Sequence, residues 1–248
     1  MIIRISLNQS LSGDIYLPVN SNNKTIIFLG GMPSYFYKNS ISENLSQVGF
    51  TVIQPFYYGS WVSNGDFSAK NCIQTLTDTI QAINNNTIIN SYNNQLLNLD
   101  SKEIYLMGTS FGSTLVQIYK DSEYKLEKRI CLAGIPVFEQ KYNQQIHFNH
   151  LEFIDFIKRG FKNLYRSDSW QEWEKELSGN GEFFHDLNLN PDYLFLQAKD
   201  DNMANYSLIS SYAQEKQIKA NIVEINGKHS LESFDTLQIT KNIIEFTS

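Results

Sequence analysis

Ile104-Tyr105-Leu106-Met107-Gly108-Thr109-Ser110-Phe111-Gly112-Ser113 decides the fold. Ile104 to Met107 is an unbroken apolar run ended by glycine, which reads as a strand buried on both faces of a sheet. Gly108-Thr109-Ser110-Phe111-Gly112 matches G-x-S-x-G, and Leu115, Ile118 and Tyr119 beyond it recur at helical spacing. The five-residue pattern is common by itself, and its setting between a strand and a helix gives it meaning. A serine so placed sits in a sharp turn with no room for side chains two residues before and after it. Gly108 and Gly112 meet that demand. The helix N-terminus directs free N–H groups toward the serine, where they would face an oxygen that gains negative charge.

The same kind of apolar run occurs at Thr25 to Leu29, Thr51 to Ile53, Ile130 to Ala133, Tyr193 to Leu196 and Ala220 to Val223. Between the second of these and Ile104, Ile73, Leu76, Ile80 and Ile83 have helical spacing. Strand, helix and strand in repetition predict an α/β fold with a doubly wound, mostly parallel sheet, helices lying on both faces. Ile2 to Asn8 and Gly13 to Pro18 add two strands around the turn Gln9-Ser10-Leu11-Ser12. The Asn- and Ser-rich stretch from Asn84 to Asp100 reads as a surface excursion. Residues 137–192 are too long for a simple connection between strands. Helical spacing of Phe153, Phe156, Ile157 and Phe161, then of Trp170, Trp173 and Leu177, predicts a small helical cap inserted into a core of 1–136 and 193–248.

The composition of 42% hydrophobic and 19% charged residues fits a globular chain of 248 residues and excludes a disordered one. A net charge of -6 without any basic block argues against nucleic-acid binding. No apolar stretch has the length of a membrane span or the form of a signal peptide, so a cytoplasmic location is expected. Cys72 and Cys131 have no C-x-x-C spacing and are expected as small core residues, with no metal or cofactor implied.

A serine hydroxyl needs a base, and the chain offers His147, His150, His185 and His229. His229 follows the last predicted strand and precedes a helix expected near Leu231. Loops after parallel strands gather on the edge where Ser110 sits, so His229 has the right position. The other three histidines fall in the cap, where surface or packing roles are expected. A carboxylate must hold the imidazole. Ala198-Lys199-Asp200-Asp201-Asn202 follows the strand Tyr193 to Leu196 on the same edge, with Asp201 the first choice and Asp200 the alternative. Gly30-Gly31-Met32-Pro33 follows Thr25 to Leu29; Pro33 has no N–H, so Met32 is the natural partner of Phe111 in an oxyanion hole.

This ordered set, Gly30-Gly31-Met32, Ser110 in its G-x-S-x-G, Asp201 and Gly227-Lys228-His229, resembles the α/β-hydrolase superfamily over nearly the whole chain. The resemblance implies the α/β-hydrolase fold and a serine hydrolase of the esterase or peptidase-like branch, acting through a covalent acyl-enzyme. Tyr57-Tyr58-Gly59-Ser60 through Ser63-Asn64-Gly65-Asp66-Phe67-Ser68 resembles the loop after the second parallel strand of such enzymes, implying a pocket wall without a chemical role. Family members often have His-Gly in place of Gly30-Gly31, so the histidine that commonly braces the oxyanion loop is missing. Alanine also stands at Ala198, where glycine is usual.

The substrate is less legible. Residues 137–192 carry eleven aromatic side chains, among them Phe138, Phe148, Phe153, Phe156, Phe161, Trp170, Trp173, Phe183 and Phe184. These can line an apolar acyl pocket or fasten the cap to the body. A small-molecule ester with an apolar acyl group is expected. Thioesters, amides, transfer to an acceptor other than water and ligand binding without turnover stay open, as does oligomeric state.

Overall fold

A computed structural model describes residues 1–34, 39–120, 124, 126, 128–229 and 231–248, with Leu231 described by its backbone alone. The described residues form one sheet of nine strands. These are β1 (Ile2–Ser6), β2 (Ser12–Tyr16), β3 (Lys24–Leu29), β4 (Thr51–Pro55), β5 (Ile89–Asn90), β6 (Glu103–Thr109), β7 (Lys128–Leu132), β8 (Asp192–Ala198) and β9 (Ala220–Ile225). Their order is β5-β1-β2-β4-β3-β6-β7-β8-β9, parallel from β4 to β9 and antiparallel in the other three pairings.

Burial follows the sequence pattern. Every residue of β4, all but the first of β3 and the last four of β7 are buried, as expected for strands covered on both faces. In β1 buried and more exposed residues alternate, as an antiparallel strand with one wetter face requires. Asn8 closes the turn after β1 by accepting the N–H groups of Ser10 and Leu11 through its side-chain oxygen.

The helices are α1 (Ser40–Gln47), α2 (Ala69–Asn84), α3 (Phe111–Ile118), α4 (Gln140–Gln145), α5 (His150–Gly160), α6 (Trp170–Ser178), α7 (Tyr206–Glu215) and α8 (Thr236–Thr247). Ile41 and Leu45 of α1 and Ile239 and Ile243 of α8 pack with Ile26, Phe28 and Leu194 on one face of the sheet. On the other face Leu76 and Ile80 of α2, Leu115 of α3 and Ile209 of α7 join Ile27, Leu106 and Phe195, together with Trp173 and Leu177 of α6. This is the doubly wound arrangement expected. No helix among the described residues is long and apolar enough to cross a membrane.

Three differences from the sequence reading have local causes. The Asn84-to-Asp100 excursion contributes β5, whose two residues pair with Ser6 and Ile5 at the sheet edge. The last helix starts at Thr236 rather than near Leu231. Leu231–Ser233 is a separate 3₁₀ turn, and Asp235 then caps α8 by accepting the N–H groups of Leu237 and Gln238. In residues 137–192 the predicted helices are present as α5 and α6, preceded by α4, whose sequence QKYNQQ carries no apolar periodicity.

Strand order reverses between β3 and β6. From β3 the chain crosses by α1 to β4 on one side, and from β6 by α3 to β7 on the other. In open parallel sheets such a reversal leaves a crevice at the carboxyl ends of the strands, where ligands bind. Leu29 lies opposite Gly108 at the end of that pairing, so the Gly30-Gly31 loop and the Ser110 turn leave the sheet side by side.

Candidate active site

Ser110 has φ 50 and ψ -118, a conformation that ordinary residues avoid. Its surroundings enforce it. A Cβ on Gly108 would lie 2.2 Å from the Gly112 carbonyl oxygen, and one on Gly112 would lie 2.5 Å from that of Leu29. Both glycines are therefore fixed by main-chain approach. The Ser110 N–H donates to the Leu132 carbonyl at 3.1 Å, and the Ser113 hydroxyl donates to the Ser110 carbonyl at 2.6 Å. The serine is thus held from β7 and from the first turn of α3.

Its hydroxyl oxygen stands 2.9 Å from His229 Nε2, and His229 Nδ1 stands 2.7 Å from Asp201 Oδ2. A carboxylate can only accept here, which assigns the ring proton to Nδ1 and leaves Nε2 free to accept from Ser110. The Asp201 side chain is fully buried and that of His229 is 18% exposed. Asp201 Oδ1 accepts the N–H groups of Met203 and Ala204 at 2.8 and 2.9 Å, so one oxygen holds the loop and the other faces the ring. Gln197 donates to the Ala204 carbonyl from below. Asp200 is exposed, and its N–H bonds the Gly227 carbonyl at 3.1 Å, tying the acid loop to the histidine loop. Of the acidic pair, the structure brings Asp201 to the imidazole. The histidine loop closes on itself through Ser233, whose hydroxyl accepts from the Lys228 N–H at 2.8 Å. Ser230, the next residue, lies outside the described residues.

Met32 and Phe111 both flank Ser110. Neither main-chain N–H finds an acceptor among the described residues. For Phe111 the reason is its place at the first position of α3, where a helix has no internal acceptor to offer. Gly31 brings the loop against the serine, since a Cβ there would touch Ser110 Cβ at 3.4 Å.

The site opens into a cavity of about 410 Å³. Ile135, Phe138, Ile146, Phe148, Phe153 and Met203 supply most of its apolar wall, with Glu232 among its polar lining residues. His147, His150 and His185 do not line it. The aromatic residues of 137–192 divide their work. Phe138, Phe148 and Phe153 face the cavity, with neighbouring rings 5.7 and 5.4 Å apart. Trp173 instead stacks on Phe67 at 4.8 Å and donates its indole N–H to the Phe67 carbonyl at 2.7 Å. Phe184 meets the Phe111 ring edge-on at 5.5 Å. Glu176, buried, accepts the N–H groups of Glu182, Phe183 and Phe184 and so shapes the turn that presents Phe184.

The loop from Tyr57 to Ser68 departs from the expectation of a pocket wall. None of its residues lines the cavity. It packs against the Gly30-to-Ser34 loop, held there by the packing of Tyr57 and Phe67 against Phe111, Tyr165 and Trp173. Sequence reasoning missed the part that Tyr57 plays, because nothing in a sequence shows where a phenol points.

No model of a known protein family matches the sequence, and no curated protein matches it. Solved structures do match its fold. A thermophilic esterase from Thermogutta terrifontis with butyrate bound shares 13% identity at a TM-score of 0.58, over 98% of this chain and 92% of that one. Est1E from Butyrivibrio proteoclasticus with ferulic acid bound shares 15% at 0.61, over 96% and 94%. An α/β serine hydrolase without lid from Xanthomonas campestris shares 12% at 0.62, over 99% and 92%. The chain has the α/β-hydrolase fold, and its structural neighbours include esterases and serine hydrolases.

Proposed function

We propose that the protein is a serine hydrolase of carboxylic esters with small or medium apolar acyl groups, using Ser110, His229 and Asp201 as catalytic residues and the N–H groups of Met32 and Phe111 as an oxyanion hole. The observation that carries this reading is the hydrogen-bonded line from Ser110 Oγ to His229 to buried Asp201, opening directly on an apolar cavity. Ser110 Oγ attacks the ester carbonyl as His229 Nε2 takes its proton, and Asp201 stabilises the imidazolium. The carbonyl oxygen, now negative, accepts from Met32 and Phe111. His229 returns the proton to the departing alkoxide, leaving an acyl-Ser110 ester. Water, losing a proton to His229, attacks that ester, and His229 returns the proton to the departing Ser110 Oγ as the acid is released.

The cavity volume of about 410 Å³ and its phenylalanine lining support a small or medium acyl group. Two structural neighbours, bound to butyrate and to ferulic acid, support a carboxylic acid product of that size. A fluorophosphonate probe and a p-nitrophenyl ester series from acetate to decanoate test the reading together. Wild type is expected to label and to turn over short and medium esters, and Ser110→Ala to do neither. Failure of wild type to label beside a known serine hydrolase sinks the activated serine. Turnover confined to acetate sinks the apolar acyl pocket, and preference for thioester or arylamide substrates moves the leaving group.

A further inference from the structure

The Gly30-to-Ser34 loop has no histidine, yet it is gripped at both ends by buried tyrosines. Tyr57, just after β4, donates its hydroxyl to the Gly30 carbonyl at 2.6 Å. Tyr165, in the segment after α5, accepts the Ser34 N–H at 2.9 Å. Met32 lies midway between the two grips. The tyrosines are themselves fixed. Main-chain bonds from Trp61 N–H to Leu164 and from Arg166 N–H to Gly59, at 2.9 and 2.7 Å, zip the Tyr165 segment to the Tyr57 loop. The Arg166 guanidinium adds bonds to the Trp61 and Ser63 carbonyls. The Phe67 ring sits between the two phenols, 6.2 Å from Tyr57 and 4.6 Å from Tyr165. Tyr57 also meets Phe111 edge-on at 5.9 Å, so one side chain touches both segments whose N–H groups flank Ser110.

We propose that Tyr57 and Tyr165 are positioning residues for acyl transfer, holding the Gly30-to-Ser34 loop so that the Met32 N–H faces the oxyanion formed at Ser110. This rests on the serine hydrolase reading given above. The grip replaces the histidine brace that the sequence lacks. A donor fixed before the reaction costs no reorganisation in the transition state, so loosening the loop should slow chemistry while leaving substrate binding almost untouched. Burial also holds the Tyr57 phenol protonated well above its usual range, so the bond to Gly30 persists at every pH where the enzyme would work.

The test compares Tyr57→Phe and Tyr165→Phe with wild type and with Tyr142→Phe. Tyr142 is a buried tyrosine whose hydroxyl bonds Glu215 and which does not line the cavity. The readouts are kcat and KM on p-nitrophenyl butyrate, the inhibition constant of a trifluoromethyl ketone that forms a tetrahedral adduct on serine, and thermal unfolding. Losing a whole oxyanion donor costs about 10²- to 10³-fold in kcat, so loss of one grip is expected to cost roughly 10-fold, with KM within about twofold. The ketone should weaken in parallel with kcat/KM, and Tyr142→Phe should match wild type. Unchanged kcat and ketone affinity in both variants, with Ser110→Ala inactive, overturns the proposal and leaves the hydrolase reading standing. A rise in KM alone, or an equal loss in Tyr142→Phe, also overturns it. If either variant fails to fold, the other decides. Wild type without turnover overturns both readings and is recognised by its failure to label.

Discussion

The carboxyl edge of the sheet and the inserted residues 137–192 meet at one cavity but are held in unlike ways. At the edge, main chain presses on main chain: Gly108 against Gly112 and Gly112 against Leu29. The Asp201 carboxylate is held by N–H groups of its own loop. The insertion adds packed side chains, Trp173 and Phe184 against Phe67 and Phe111, to the main-chain bonds of Leu164 and Arg166 with the loop after β4. Main-chain contacts leave no choice of residue, whereas packed rings can be exchanged for others of similar volume. The difference separates an edge that fixes its residues, around Ser110, from a cavity wall that can change.

The sharpest way to break this comparison lies within the acid pair. Asp201→Asn is expected to lower kcat about 10⁴-fold by disturbing the His229 tautomer, while Asp200→Asn stays within about twofold. Steady-state hydrolysis of p-nitrophenyl butyrate measures both, and the reverse ranking would show that the edge is not fixed as described. Next in size is the fastening of the insertion. Trp173→Ala removes a fully buried indole with its hydrogen bond to Phe67 and should cost about 3–5 kcal/mol in denaturant unfolding. A cost below about 1 kcal/mol would mean that other contacts hold the insertion. The smallest effect concerns the wall. Phe148 and Phe153 are only partly buried, so changing either to Ala should leave stability nearly intact. It should raise decanoate over butyrate hydrolysis about tenfold, or about 1.4 kcal/mol of discrimination. An unaltered chain-length profile would place the acyl group elsewhere.

The parallel strands were legible because burial on both faces writes itself as continuous apolar runs such as Thr25 to Leu29 and Ile104 to Met107. The hydrogen-bonded line of Ser110, His229 and Asp201 was legible because strand order forces Ser110, the acidic pair and His229 to one edge. The sequence puts Asp201 ahead of Asp200, and the fold turns Asp201 inward to the imidazole while Asp200 stays exposed. The two residues of β5 form too short a pattern to read, and polar α4 carries no periodicity. α7 had a readable signal that the sequence reading did not use, with Asn205 as cap and Leu208, Ile209, Tyr212 and Ala213 on one face. The tyrosine grips were illegible for another reason. Tyr57, Tyr165 and the loop they hold come together only through tertiary packing, 27 and 131 residues apart along the chain.

The antiparallel bridge between Ser60 and Tyr165 has a consequence for exchange of parts. Residues 137–192 look interchangeable, because they enter and leave the sheet through β7 and β8 alone. Yet the Tyr165 segment is stitched to the loop after β4, and its hydroxyl is the acceptor for Ser34. A foreign insert grafted at the same two strand ends would leave that N–H unmatched, close to Ser110. A workable chimera must therefore transplant the roof together with the 57–67 loop as one hereditary unit.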